Sequence, residues 1–121
     1  MEILETALVV LVALLHLYFL VLEMFLWDKP TGLRVFGLQP DFARASRALA
    51  MNQGLYNGFL VAGLGWGVLR QSQEITVLFL VFVIVAGVFG AATVNRRVFW
   101  VQAFPALIAL ALVLRSSFMA L

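Results

Sequence analysis

Between Arg47 and Arg70 the chain reads ALAMNQGLYNGFLVAGLGWGVL, residues 48–69, a membrane-length run with Asn52, Gln53 and Asn57 set into its first half. A helix needs about 20 mainly apolar residues to cross the hydrocarbon core of a bilayer, and this run is long enough. Inside lipid no water satisfies an amide, so each of the three needs a protein partner or a polar cavity. The stretch thus points to a membrane protein and to the place in it where something polar happens.

Three further runs of similar length surround it, roughly 6–27, 75–95 and 98–118. Composition agrees: 64% of residues are hydrophobic, 12% are charged and the mean hydropathy is +1.08, too apolar for an ordinary soluble domain. The four runs consume most of the 121 residues, which predicts one all-α integral membrane domain over residues 1–121, a four-transmembrane-helix antiparallel bundle. Short links at Gln71–Glu74 and Asn95–Arg97 force antiparallel neighbours. The link from Asp28 to Ser46 is longer: Pro30-Thr31-Gly32 signals a turn, and Val35-Phe36-Gly37-Leu38 is apolar enough to dip into the interface. Pro40 fits the first turn of a helix, with Asp41 placed to suit the helix dipole, so the second long helix is expected to begin near Pro40, its first turns standing in water with Arg44 and Arg47. Glu2 and Glu5 stand where a secretory signal would carry basic residues, and no small-residue cleavage site follows, so the first run reads as a retained span.

Charge gives the orientation. Lys29, Arg34, Arg44, Arg47, Arg96 and Arg97 fall in the first and third links, against Arg70 and Arg115 on the other side. The positive-inside rule predicts those links in the cytoplasm and both termini outside it, in the inner (plasma) membrane, with Trp27, Trp66 and Trp100 as interfacial anchors. The same sorting explains the pI of about 9.7 by topology, with no basic–aromatic patch for nucleic acid. The chain has no cysteine, which excludes disulfides and thiol catalysis, and a single histidine argues against a metal site.

Rise per residue aligns the polar residues in depth. At about 1.5 Å per residue, Glu23 lies ~6 Å inward of Trp27, and Asn52, Gln53 and Gln102 are similarly deep, with Asn57 some two turns in. His16, seven residues before Glu23, shares its helix face and lies closer to the midplane. Glu23, Asn52, Gln53, Asn57 and Gln102 therefore share one layer in the cytoplasmic half, with Arg47 and Arg96 at its mouth beside Arg44 and Arg97. One reading of that layer is a cytoplasm-facing intramembrane pocket for a small amphipathic molecule, with Glu23 and His16 as its candidate acid–base groups and the amides and arginines as ligand contacts. A second is a transporter or channel subunit using His16 and Glu23 as a proton path. A third is a scaffold in which the amides are interhelical hydrogen bonds and no ligand binds. The small-residue pairs Gly54/Gly58 and Gly63/Gly67, with Gly87, Gly90 and Ala91, suit close helix contacts and a homo-oligomer. Pro105 is expected to kink the last helix one turn beyond Gln102.

Several strings together closely resemble the small bacterial integral-membrane family called domain of unknown function 1304. They are Asn52-Gln53-Gly54-Leu55-Tyr56-Asn57-Gly58-Phe59-Leu60, His16 with Glu-Met-Phe-Leu-Trp ending at Trp27, Ala86-Gly87-Val88-Phe89-Gly90-Ala91-Ala92-Thr93, and Gln102 with Phe104-Pro105-Ala106. The resemblance spans essentially the whole chain; it implies a four-span inner-membrane protein and supplies no activity. A weaker resemblance is to the membrane-associated eicosanoid and glutathione metabolism proteins, also four-span with both termini outside and trimeric. Their second helix carries Arg-Ala-x-x-Asn-x-x-Glu, which helps bind glutathione near the cytoplasmic face. Here Arg47-Ala48 is followed by Asn52 one residue late, and Leu55 stands where the acid should follow. That resemblance implies a location for a site and a glutathione-transferase-like enzyme with glutathione as the cofactor to test; the residues themselves imply no cofactor.

Overall fold

The computed structural model describes residues 1–119. Among them the chain is all helical, with α1 over Ile3–Phe25, α2 over Pro30–Phe36, α3 over Pro40–Leu69, α4 over Gln73–Thr93, and a π-helical turn Phe99–Ala103 that runs into α5, Phe104–Met119. Prolines start two of these helices. Pro30 and Pro40 each sit in the first helical turn, where the missing N–H costs nothing. α2 stops at Gly37, whose φ of 64° is the left-handed conformation that glycine adopts without a Cβ clash. The expected start of the second long helix near Pro40 is what the structure shows, and α3 runs unbroken for 30 residues from there.

Specific contacts fix the topology. Ser46 meets Trp27, Gly54 lies against Glu23 and Met24, and Gly58 against Leu20, so α3 runs antiparallel to α1. Gly63 faces Phe79 and Gly67 faces Thr76, which makes α4 antiparallel to α3. Gly87 faces Ala103, and Gln73 donates to the Val113 carbonyl at 3.0 Å, which sets α5 antiparallel to α4. Val9 and Val12 close the ring against Ala106, Ala109 and Val113 of α5. Gly54, Gly58, Gly63, Gly67 and Gly87 thus each meet a neighbouring helix of the same chain. The α1–α2–α3 link and the α4–α5 link consequently lie at one end of the bundle, with the basic residues they carry.

The surface is as apolar as the interior. Windows of α1, α4 and the Phe99–Met119 helix are long and apolar enough to cross a membrane, yet only 28%, 22% and 22% of them is buried within the protein. Residues such as Leu11, Leu14, Phe82, Phe89 and Ile108 face outward, an arrangement suited to lipid rather than water. α3 is not among these candidate spans, because Asn52, Gln53, Asn57 and its glycines dilute its apolar content. On composition the expectation of four crossing helices therefore narrows to three.

Ser72 caps α4 by accepting from the Ile75 N–H at 3.2 Å, which satisfies one of the orphan donors at the helix start. Ser72→Ala is expected to lower stability by about 1 kcal/mol, read as a lower unfolding midpoint of the purified protein.

Candidate functional site

The four long segments do not pack evenly along their length. In the half near the termini the inward positions are Val9, Val12, Leu64, Leu80, Val83, Ala106, Ala109 and Val113, an apolar core. Followed toward the other end, the same helical stripes change chemistry together. On α1 the stripe through Val9 and Val12 continues to His16 and Glu23. On α3, Gly67, Leu64 and Leu60 are followed at alternating steps of three and four by Asn57 and Gln53. On α5, Val113, Ala109 and Ala106 are followed by Gln102. The second half buries Glu23, Asn57 and His16 among Leu22, Ala50 and Ala103, while Gln102 is half-buried and Gln53 exposed; the first half also buries Glu5 and Thr76.

Glu23 is the centre of the polar half. It keeps only 5% of its surface and accepts a hydrogen bond from the Asn57 side-chain amide, a pairing across the α1–α3 interface between residues 34 apart in sequence. No salt bridge to Glu23 forms among the described residues. Gly54 suits this approach: a Cβ there would come within 2.5 Å of Met24 Cγ, 3.2 Å of Glu23 Cβ and 3.3 Å of the Leu20 carbonyl oxygen, so a larger residue would have to displace α1 side chains. One face further in, His16 is fully buried, stacked edge-on against Phe19 at 5.6 Å. Its Nδ1 bonds the Val12 carbonyl at 2.8 Å, and its Nε2 has no partner among the described residues. In the neutral ring, donation from Nδ1 leaves Nε2 as a buried acceptor.

The other sequence candidates are placed differently. Gln53 is exposed, and the face of α3 buried at its level is formed by Ala50, Gly54 and Asn57. Asn52 and Tyr56 are exposed too, on the face that carries Gly63 seven residues beyond Tyr56. Gly63 is held against Phe79 of α4; on α4, Ala86 and Thr93 continue the Phe79 stripe at seven-residue steps and are also exposed. The close α3–α4 contacts are those near the turn that joins them, at Gly63–Phe79 and Gly67–Thr76. Gln102 is half-buried in the π-helical turn, where the Phe104 N–H bonds the Phe99 carbonyl. Pro105 has no N–H for the Val101 carbonyl, and the wider turn just before it absorbs the mismatch that the sequence predicted as a kink.

At the mouth, Arg47 Nε approaches Asp28 Oδ1 at 3.9 Å, Arg44 pairs with Asp41, and Arg96 is exposed in the α4–α5 link. The Trp27 indole donates to Ser46 Oγ at 3.0 Å and packs on Phe36 at 4.9 Å, tying α2 to this end. Two cavities of about 440 and 450 Å³ lie at the opposite end, one by Glu5 and Arg115 and one by Gln73 and Ser117, away from Glu23.

Comparison with known proteins gives a family and no activity. The chain is 33% identical over 114 residues to the uncharacterized protein YpaA of Lactococcus lactis subsp. lactis (strain IL1403), covering 91% of this chain and 96% of that protein. No solved structure matches. The family described as protein of unknown function DUF1304 matches residues 10–114, and the chain belongs to it.

Proposed function

We propose that the chain is an inner-membrane protein that crosses the bilayer four times, with both termini outside the cytoplasm, and that its polar half binds a small amphipathic molecule entering from the cytoplasmic side. α3 supports the fourth crossing by lying antiparallel along α1 from Ser46 to Leu64. The orientation rests on the basic residues gathered at one end of the bundle. The observation that carries the binding site is the shared switch of three inward stripes to Glu23, Asn57, Gln53 and Gln102, at a level where Gln53 is exposed. Asn57 is buried in contact with Glu23, while Gln53, a turn away on the same helix, is exposed and without a partner among the described residues.

The chemistry of the lining selects the head group. It offers a carboxyl, three amides and, deeper, a free imidazole acceptor, while Arg47 is turned to Asp28. A hydroxyl or amine head, able to donate to Glu23, suits that lining better than an anion. Glutathione, with two carboxylates, is the contrasting probe.

The test is ligand-dependent stability of the protein in lipid discs. A single-chain alkylamine or alkyl glycerol is expected to raise the unfolding midpoint, glutathione and an alkyl sulfate to leave it unchanged, and Glu23→Gln with Gln53→Leu to remove the shift. An equal shift in the double variant, or none in the wild type, overturns the reading.

The unpartnered His16 Nε2, on the Glu23 face of α1, favours a proton path as the second reading. Proteoliposomes that show no proton flux at any pH, or a flux unaltered by Glu23→Gln, exclude it.

A further inference from the structure

We infer that the cavity where α1 begins and α5 ends is a second binding site, for a zwitterion that joins a primary ammonium to a phosphate or carboxylate. It lies at the opposite end of the bundle from Glu23 and does not depend on the function proposed there.

Local sequence puts a carboxyl in this cavity. Glu5 heads the inward stripe of α1, four residues before Val9 and seven before Val12, so helical periodicity turns it into the bundle. It keeps only 3% of its surface. Its Oε2 accepts from the Glu2 backbone N–H at 3.4 Å, part of the capping box that closes the first turn of α1. Its Oε1 accepts no hydrogen bond among the described residues. The side-chain atoms sealed in without a partner are on His16 and Asp28, so Glu5 Oε1 opens to the cavity that the residue lines. A carboxylate buried this far is costly until a donor reaches its unused oxygen.

α5 supplies the opposite charge. Leu112, Arg115, Ser116 and Met119 occupy one helix face and line the cavity opposite Glu2 and Glu5. No salt bridge joins Arg115 to either glutamate among the described residues, so guanidinium and carboxylates share the cavity without pairing. The space they enclose is about 440 Å³, within the roughly 300–1,000 Å³ of small-molecule sites.

Such a lining selects by what it rejects. A plain anion meets two carboxylates and a plain cation meets the guanidinium. A molecule with both charges turns its ammonium to Glu5 and its anionic oxygens to Arg115, each through charge-assisted hydrogen bonds. The ammonium is primary because Glu5 needs an N–H donor, which a quaternary ammonium lacks. A phosphoethanolamine lipid head and a free zwitterion in water share this chemistry.

The test uses the whole chain in phosphatidylcholine discs. One probe is phosphatidylethanolamine mixed into the disc; the others are glycerophosphoethanolamine and β-alanine added from water. A higher unfolding midpoint is expected with at least one of them. A rise with the lipid alone identifies a head group of the surrounding leaflet, and a rise with a soluble probe identifies a free zwitterion. Glu5→Gln, which keeps an oxygen for the Glu2 N–H, and Arg115→Gln, at an exposed position, are each expected to weaken the effective probe at least about tenfold. Glu74→Gln removes an exposed carboxylate at the same end outside this cavity and should change binding by less than about twofold. No rise with any probe, a rise that survives both cavity substitutions, or an equal rise with phosphatidylglycerol overturns the site.

Discussion

Gly87→Leu is expected to be the most damaging single substitution in the bundle. A Cβ at this position would lie 2.7 Å from the Ala103 backbone nitrogen and 3.1 Å from its Cα, and backbone atoms in a helix cannot turn aside as a flexible side chain can. The helices must separate where the Phe99–Ala103 turn is seated on α4, which would displace Gln102 and loosen the core at Ala106. Overpacking typically costs about 1–3 kcal/mol, and this site belongs at the upper end because relief needs movement of a whole helix. Gly65→Leu is the matched control: nothing lies within 4 Å of a Cβ there. Its unfolding midpoint in detergent should equal that of the wild type, while that of Gly87→Leu falls sharply. Equal midpoints for the two variants would contradict the close α4–α5 seat.

The second large effect is expected at the Glu23–Asn57 pair, and its sign depends on which partner is removed. Asn57→Leu leaves a buried carboxyl without its only donor among the described residues, at a cost of about 1–3 kcal/mol. Glu23→Gln keeps a hydrogen-bonding group of the same size and should cost less. Glu23→Leu combined with Asn57→Leu removes both polar groups and should recover much of the loss, since an apolar pair satisfies itself in an apolar interface. Unfolding midpoints of the wild type, Glu23→Leu, Asn57→Leu and the double variant in one detergent check this as a double-mutant cycle, with Glu23→Gln measured beside them. The same double variant should lose ligand-dependent stabilisation entirely. Recovered stability with lost binding separates the structural from the functional role of the pair.

Much of this protein was legible in its residues. The helical class and the start of α3 at Pro40 follow from local chemistry, because proline and hydrophobic run length act within a turn or two of where they stand. The link before α3 was not so legible: where Pro30-Thr31-Gly32 predicted a turn, the structure has the short helix α2, closed by Gly37. Hydropathy was less decisive for the stretch at 48–69: its amides make it informative about a site and equally make it the long helix that misses the composition of a span.

What only the tertiary structure decided is how the stripes meet. Periodicity gives each helix a buried face but not the neighbour that buries it, nor the angle at which two helices cross, because both depend on the shapes of the two surfaces at once. Hence Glu23 takes Asn57 rather than Gln53 or Gln102, and the glycines hold α1, α4 and α5 within the chain. Gly63 and Gly67 let α4 approach α3 closely near the turn that joins them. The amides of residues 48–69 could be counted from the sequence; that Asn57 is locked to a carboxyl while Asn52 and Gln53 stay exposed is a consequence of how α1 and α3 cross.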